Sequence, residues 1–163
     1  MHLLILYGSL TGNTLLVSEH MHAFLTKRGH AVDLVDQSFC EFETLNAYDF
    51  VLIGASTWGE GDPNPATQVF IEQLDALERI EMKRVALFGL GDSAYEHFCG
   101  VVDKLESSLA RKQIVLCAPS LRLDGFPDEV MCDKVDAWLD RDILPQLYTI
   151  AELPLADSST SDA

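Results

Sequence analysis

Apolar residues in this chain fall into short unbroken runs that alternate with stretches of helical spacing. Residues 3–7 (LLILY), 50–55 (FVLIGA) and 84–89 (RVALFG) are almost continuously apolar, as expected of strands buried on both faces. Residues 31–35 read as a further strand. Between them, residues 13–28 place Leu16, Val17, Met21, Phe24 and Leu25 at helical intervals and close on Lys27, Arg28 and Gly29, good C-terminal signals. Residues 67–77 (Val69, Phe70, Leu74, Leu77) and 101–112 (Val102, Leu105, Leu109) repeat the helical spacing. Residues 39–46 fit one helical turn or two. The last strand is expected over 113–116, continuing through 121–123 past an irregular Pro119. A single last helix is expected over 128–147, with Val130, Val135, Trp138, Leu139 and Ile143 facing inward.

Strands that alternate with helices, and that are apolar on both faces, predict an α/β fold: a doubly wound parallel sheet with helices on both sides. Right-handed crossovers then bring the loops that follow the strands to one edge of the sheet. Ligands bind there, where the strand order reverses. Residues 1–148 are expected to form one domain, and residues 149–163 a partly disordered tail, because 156–163 (ADSSTSDA) are small and polar.

Three of those loops carry unusual chemistry. After the first strand comes Gly8-Ser9-Leu10-Thr11-Gly12-Asn13-Thr14, hydroxyl and amide side chains among glycines at a helix N-terminus. Free N–H groups there make a nest for phosphate, and with no Lys or Arg before Lys27 the nest is uncharged. Such a nest suits a phosphate monoester held by hydrogen bonds and the helix dipole, although an ordinary capped turn uses the same residue types. The loop after the third strand reads Ser56-Thr57-Trp58-Gly59-Glu60-Gly61-Asp62, with a tryptophan poorly placed for the core and a glycine behind it that can reorient its peptide. The next loop, residues 89–100 (GLGDSAYEHFCG), offers a second aromatic, Tyr95. Two aromatics from neighbouring loops can sandwich a planar ring whose phosphate tail reaches the nest. Residues 89–94 also match G-x-G-x-x-A, a weak dinucleotide signal that follows the wrong strand.

The segments SLTGNT (9–14), STWGEGD (56–62) and GLGDSAYEHFCG (89–100) resemble the three FMN-binding loops of the flavodoxins, and the resemblance covers residues 1 to about 147. It implies a five-stranded sheet of order 2-1-3-4-5 and non-covalently bound FMN. Ser9, Thr11, Asn13 and Thr14, with the loop N–H groups of Leu10 and Gly12, hold the phosphate. Ser56 and Thr57 lead into Trp58, which with Tyr95 flanks the isoalloxazine. Gly59, followed by Glu60, offers its carbonyl to flavin N5–H when the semiquinone forms. The backbone at Leu90, Gly91 and Asp92 meets the pyrimidine side, with Phe98 and Cys99 lining it and His97 beside the loop. The last strand has no room for a long insertion, so the chain resembles the short-chain class. Glu60-Gly61-Asp62-Pro63 and Tyr95-Glu96-His97-Phe98 also resemble the FMN domains of diflavin reductases. The resemblance implies a low-potential carrier that moves single electrons on FMN between redox proteins; the alternative is an FMN-dependent reductase, or the FMN subunit of a diflavin-type system.

Charge bears on partners. Asp and Glu total 26 against 11 Lys and Arg, a formal net charge of −15. Nucleic acid and anionic membranes bind basic patches, so both are unfavourable partners. Glu60, Asp62, Asp92 and Glu96 gather at the loop edge, whereas Lys27, Arg28, Arg79, Lys83, Arg84, Arg111 and Lys112 belong to the opposite edge. The expected molecule is a charge dipole that presents its flavin to redox proteins with basic docking surfaces, a reductase donor and an oxidoreductase acceptor. A low potential for the second electron and a stabilised neutral semiquinone follow from the same carboxylates.

Other classes are disfavoured. A reductase acting directly on NAD(P)H or a quinone is disfavoured because the acidic flavin edge, without basic residues, suits an anionic nicotinamide cofactor poorly, and a phosphoacceptor domain would need acids where Tyr7-Gly8 and Ala55-Ser56 stand. The four cysteines show no C-x-x-C spacing, so neither a metal site nor a disulfide framework is expected. No apolar run approaches the roughly 18 residues of a membrane span. A cytoplasmic monomer is the expectation.

Overall fold

The computed structural model describes residues 1–151. Its strands are β1 (His2–Gly8), β2 (Ala31–Asp36), β3 (Phe50–Trp58), β4 (Asp62–Pro63), β5 (Val85–Gly91) and β6 (Leu121–Asp124). Its helices are α1 (Asn13–Lys27), α2 (Pro65–Ala76), α3 (Gly100–Arg111), α4 (Glu129–Trp138) and α5 (Leu144–Ala151). Five strands pair in parallel in the order β2-β1-β3-β5-β6, and β4 is a short antiparallel addition to the end of β3. This is the anticipated doubly wound order, with the unanticipated β4 inserted into the numbering. Residues 39–46 become two turns of 3-10 helix, Gln37–Phe39 and Phe42–Ala47.

The apolar runs divide by alternation between two cores. Leu3, Ile5, Phe50, Leu52, Ala86 and Phe88 face α1, α4 and the chain after it. Leu4, Leu6, Val51, Ile53, Val85 and Leu87 face α2 and α3. Gly54 leaves room for Phe88 across the sheet: a Cβ there would stand 1.9 Å from the ring.

Three expectations need correction. Residues 113–116 are not strand: Gln113 turns to φ 61°, Val115 is 85% exposed, and the ladder with β5 begins only at Leu121. Pro119, which has no N–H to donate, separates the two segments. The last helix is not continuous, because a wider π turn at Leu139–Ile143 divides α4 from α5. Pro145 lacks the amide that would close a regular turn onto Arg141, and the wider turn absorbs the mismatch. Val130 is 61% exposed rather than inward. Helix α5 extends to Ala151, and the tail at 156–163 lies outside the described residues.

A buried polar cluster closes the C-terminal ends of β1 and β3. Asn64 caps α2 by accepting the Thr67 amide at 3.1 Å, while its Nδ2 donates to the Gly8 carbonyl at 3.1 Å and to Thr67 Oγ1 at 3.0 Å. Thr67 Oγ1 donates to Gln37 Oε1 at 2.6 Å, and Gln37 Nε2 donates to the Gly54 carbonyl at 2.9 Å. All three side chains are fully or almost fully buried. Removing one member strands its partners without water. Asn64→Leu or Gln37→Leu should therefore destabilise the fold by about 1–3 kcal/mol in urea unfolding, with an unchanged m-value.

Candidate functional site: a cleft at the strand-order reversal

The order reverses between β1 and β3, and the loops after β1, β3 and β5 meet at that edge. The first loop bends at Gly12 (φ 92°), whose N–H donates to Ser9 Oγ at 3.0 Å. Gly12 is also the residue before α1, so no side chain caps that helix, and no acid stands in its first turn. The amides of the first turn are thus left for another acceptor. Thr14 is fully buried there, and its Oγ1 has no hydrogen-bond partner in the chain.

The second loop is a hairpin from β3 to β4, with Thr57 opposite Pro63 and Trp58 opposite Asp62. Gly59 (φ 49°) and Gly61 (φ 106°) hold left-handed conformations, and a Cβ on Gly59 would meet nothing. Gly61 packs against Gly100 at the start of α3, where a Cβ on Gly100 would stand 2.7 Å from Gly61 Cα. That contact fixes the second loop against the third.

The third loop has its own braces. Asp92 Oδ1 accepts the Ala94 amide at 2.8 Å, and the Asp92 carbonyl accepts the Tyr95 amide at 3.1 Å. Cys99 takes φ 53°, and Arg122 on β6 donates to its carbonyl at 3.1 Å. Asp124 accepts from Ser93 Oγ at 2.5 Å and from the Ser93 amide at 2.9 Å.

Together the loops enclose a cleft of about 270 Å³. Thr11 and Asn13 form its wall at α1, Ser56, Thr57, Trp58 and Gly59 a second, and Leu90, Gly91, Asp92, Tyr95 and His97 a third. Trp58 and Tyr95 are 41% and 49% exposed, far more than core aromatics. Thr57 Oγ1, like Thr14 Oγ1, is buried and unpartnered.

Other residues expected at the site stand around the cleft rather than along it. Ser9 and Gly12 shape the first loop, Leu10 projects into solvent, and Glu60 is exposed on the hairpin. Phe98 packs into the core beneath α3, and Cys99 is fully buried with Sγ 3.6 Å from the Gly89 carbonyl and 3.7 Å from that of Leu123. Burial pushes the Cys99 thiol up to about 11, so it is an inert packing group. Gly91 and Cys99 are in close contact, and a Cβ on Gly91 would stand 2.9 Å from the Cys99 nitrogen.

Two lining residues were not anticipated, Gly125 and Phe126. Their signal is present in Asp124-Gly125-Phe126-Pro127, an aromatic among turn-forming residues just after a strand, as at Trp58.

The acidic rim is less bare than the sequence spacing implies. Lys104 reaches back from α3 to Asp62 at 3.0 Å. Among the described residues, Glu60, Asp92 and Glu96 have no ion-pair partner. No cluster of His, Cys, Asp and Glu among them could hold a metal, and no helix is long and apolar enough to cross a membrane.

An uncapped helix start and an aromatic-walled cleft at the reversal point of a doubly wound sheet are the geometry of a nucleotide-binding α/β domain. Residues 5–138 match the sequence model of the flavodoxin family, and the chain belongs to that family, as a short-chain member. It is 41% identical over 143 residues to the flavodoxin of Nitratidesulfovibrio vulgaris, covering 86% of this chain and 95% of that protein. Oxidised Flavodoxin 2 from Bacillus cereus superposes with a TM-score of 0.77 at 32% identity, covering 85% of this chain and 94% of that one. The sulfite reductase [NADPH] flavoprotein alpha-component of Thiocapsa roseopersicina is 37% identical over 65% of this chain but only 21% of its own length. The protein binds FMN and works as an electron carrier among redox proteins rather than as an enzyme.

The Ser93 hydroxyl, and then its amide, hold the Asp124 carboxyl below the ordinary 3.8. Because the folded value is lowered, the brace is intact above the ordinary carboxylate pKa and is lost as pH falls through the lowered one. The Ser93 amide resonance should therefore titrate below pH 3.8, and Asp124→Asn should abolish that titration.

Proposed function

We propose that the FMN phosphate is held by Ser9, Thr11, Asn13 and Thr14 with the amides of the first loop, and the isoalloxazine by Trp58 and Tyr95. The observation that carries this reading is the Thr14 hydroxyl, buried without a partner at the uncapped start of α1, on the residue after Asn13 of the cleft wall. A buried hydroxyl left unpaired costs about 1–3 kcal/mol, and a phosphate oxygen would relieve that cost. The buried, unpartnered Thr57 hydroxyl, on a residue that lines the cleft, offers a second polar contact there. Residues 1–148 serve as the FMN-binding domain.

Bound FMN supplies the one-electron chemistry. The chain's residues bind it, orient it and set how readily it accepts charge. Gly59 can present its carbonyl to the ring, because its left-handed backbone has space around it to turn. The backbone at Leu90, Gly91 and Asp92 faces the pyrimidine end. Stacking on Trp58 and Tyr95 keeps water from the ring faces, and the carboxylates of Glu60, Asp92 and Glu96 oppose added negative charge. Lys104 offsets Asp62 and limits that opposition on one side.

The same carboxylates suit a redox partner with a basic docking surface. Lys27, Arg28, Arg79, Lys83, Arg84, Arg111 and Lys112 all stand at helix ends or before strands on the far edge, so the charge dipole favours docking through the cleft. A net charge of −15 opposes self-association and supports a monomer. Free cysteines are in keeping with the reducing cytoplasm. Likeness to the sulfite reductase component supports a second reading, an FMN subunit in a stable reductase complex. Co-purification with a reductase as one species on gel filtration would favour that reading.

Two measurements test these assignments. Thr14→Val keeps the side chain's shape and removes the unpaired hydroxyl, so the apoprotein should be at least as stable while FMN binds roughly tenfold more weakly. Riboflavin, which has no phosphate, should bind the variant as it binds the parent. Electron transfer from a basic reductase should slow about tenfold or more as ionic strength rises. Glu60→Gln combined with Asp92→Asn and Glu96→Gln should flatten that dependence and raise the potential for the second electron. A rate indifferent to salt would remove the docking proposal.

A further inference from the structure

A third large aromatic lines the cleft besides Trp58 and Tyr95. Phe126 follows β6 and is 78% exposed, one of the least covered large apolar side chains among the described residues. Its backbone is fixed on both sides. Just before it, Gly125 (φ 89°) donates its N–H to the Gly91 carbonyl at 2.9 Å. Just after it, Pro127 leads into Asp128, which caps α4 by accepting the Met131 amide at 2.8 Å. The phenyl group is thus held at the cleft wall by two anchored neighbours, with no core to enter. An apolar ring held in water beside a binding cleft gains most when the ligand covers it.

The sheet order shows which end of the cleft it walls. β6 lies beyond β5, on the side away from β3 and Trp58. The Gly125–Gly91 bond places Phe126 beside the backbone that, in the reading above, meets the pyrimidine end of the flavin. We propose that Phe126 is a third aromatic contact of the FMN site, covering the pyrimidine end of the isoalloxazine and shielding it from water. This inference rests on the assignment of the cleft to the ring, and it adds a residue that the three loops of the sequence resemblance do not contain.

The test compares FMN with riboflavin, titrated by flavin fluorescence into apoprotein carrying Phe126→Ala, Phe126→Trp or Trp58→Ala. A ring contact should weaken both ligands by the same factor in Phe126→Ala, roughly two- to tenfold for one aromatic contact. Phe126→Trp should restore binding of both, and the apoprotein Tm should not change, because the side chain packs against no core. If Phe126→Ala leaves both affinities intact while Trp58→Ala weakens both, the inference falls and the ring assignment stands. If Trp58→Ala also leaves both intact, the ring assignment itself falls. Loss of FMN affinity alone in Phe126→Ala, or a lowered apoprotein Tm, would make Phe126 a support of the phosphate loop or of the fold, and would overturn the proposal.

Discussion

The site depends on one crowded contact at the end of β1. Gly8 is where the sheet gives way to the first loop, and the buried Asn64, Thr67 and Gln37 cluster closes directly over it. A Cβ on Gly8 would stand 2.1 Å from Thr67 Oγ1 and 2.4 Å from Gln37 Oε1. Only a residue without a side chain lets these groups reach the Gly8 carbonyl at the end of β1 and the Gly54 carbonyl within β3. The cluster joins β1, β3, α2 and the turn after β2, and so fixes the angle at which the first two loops leave the sheet. Asn64 also reaches Ser56 Oγ at 3.3 Å, which carries the same constraint to the cleft wall.

From that fixed edge the loops are held by backbone contacts more than by side-chain packing. Gly61 against Gly100 joins the second loop to the third, and Gly91 against Cys99 folds the third back on itself. Arg122 and Asp124 then fasten that loop to β6 from opposite sides. A rigid frame of this kind lets Trp58 and Tyr95 remain half exposed without collapsing onto the core. On the proposed assignment, this preorganisation limits the entropy lost when a flat ligand enters between them.

Much of this was legible in the sequence because it depends on local pattern. Apolar runs identified the four strands β1, β2, β3 and β5, and turn residues beside them marked the three loops. What escaped depends on partners distant in the chain. Val115 sits in an apolar segment that reads as strand, yet the chain reaches β5's ladder only after Pro119. Asn64, Thr67 and Gln37 look like ordinary polar residues until the fold brings them together across 30 positions of sequence. Phe98 and Cys99 share a loop with Tyr95, and only the backbone turn at Cys99 shows that they point inward. Lys104 is 42 positions from Asp62 in sequence, yet its helix brings the two to 3.0 Å.

The proposed binding mode, in which a protein of net charge −15 takes up a phosphate ester with no cation in the loop, needs an electrostatic account. At physiological ionic strength, charges more than about 8 Å away across solvent are largely screened, so the distant carboxylates weigh little at the phosphate. Near it, what counts is the uncapped first turn of α1, with no acid in that turn, and the hydroxyls of Ser9, Thr11 and Thr14. Each hydrogen bond to a charged group contributes about 1.5–3 kcal/mol, so a few such donors outweigh the residual repulsion. Dispensing with a lysine there also leaves the acidic field of the rim uncancelled from the phosphate side. On the proposed assignment the cleft holds an anionic tail at one end and resists added negative charge at the other, and the two ends need not be compromised against each other.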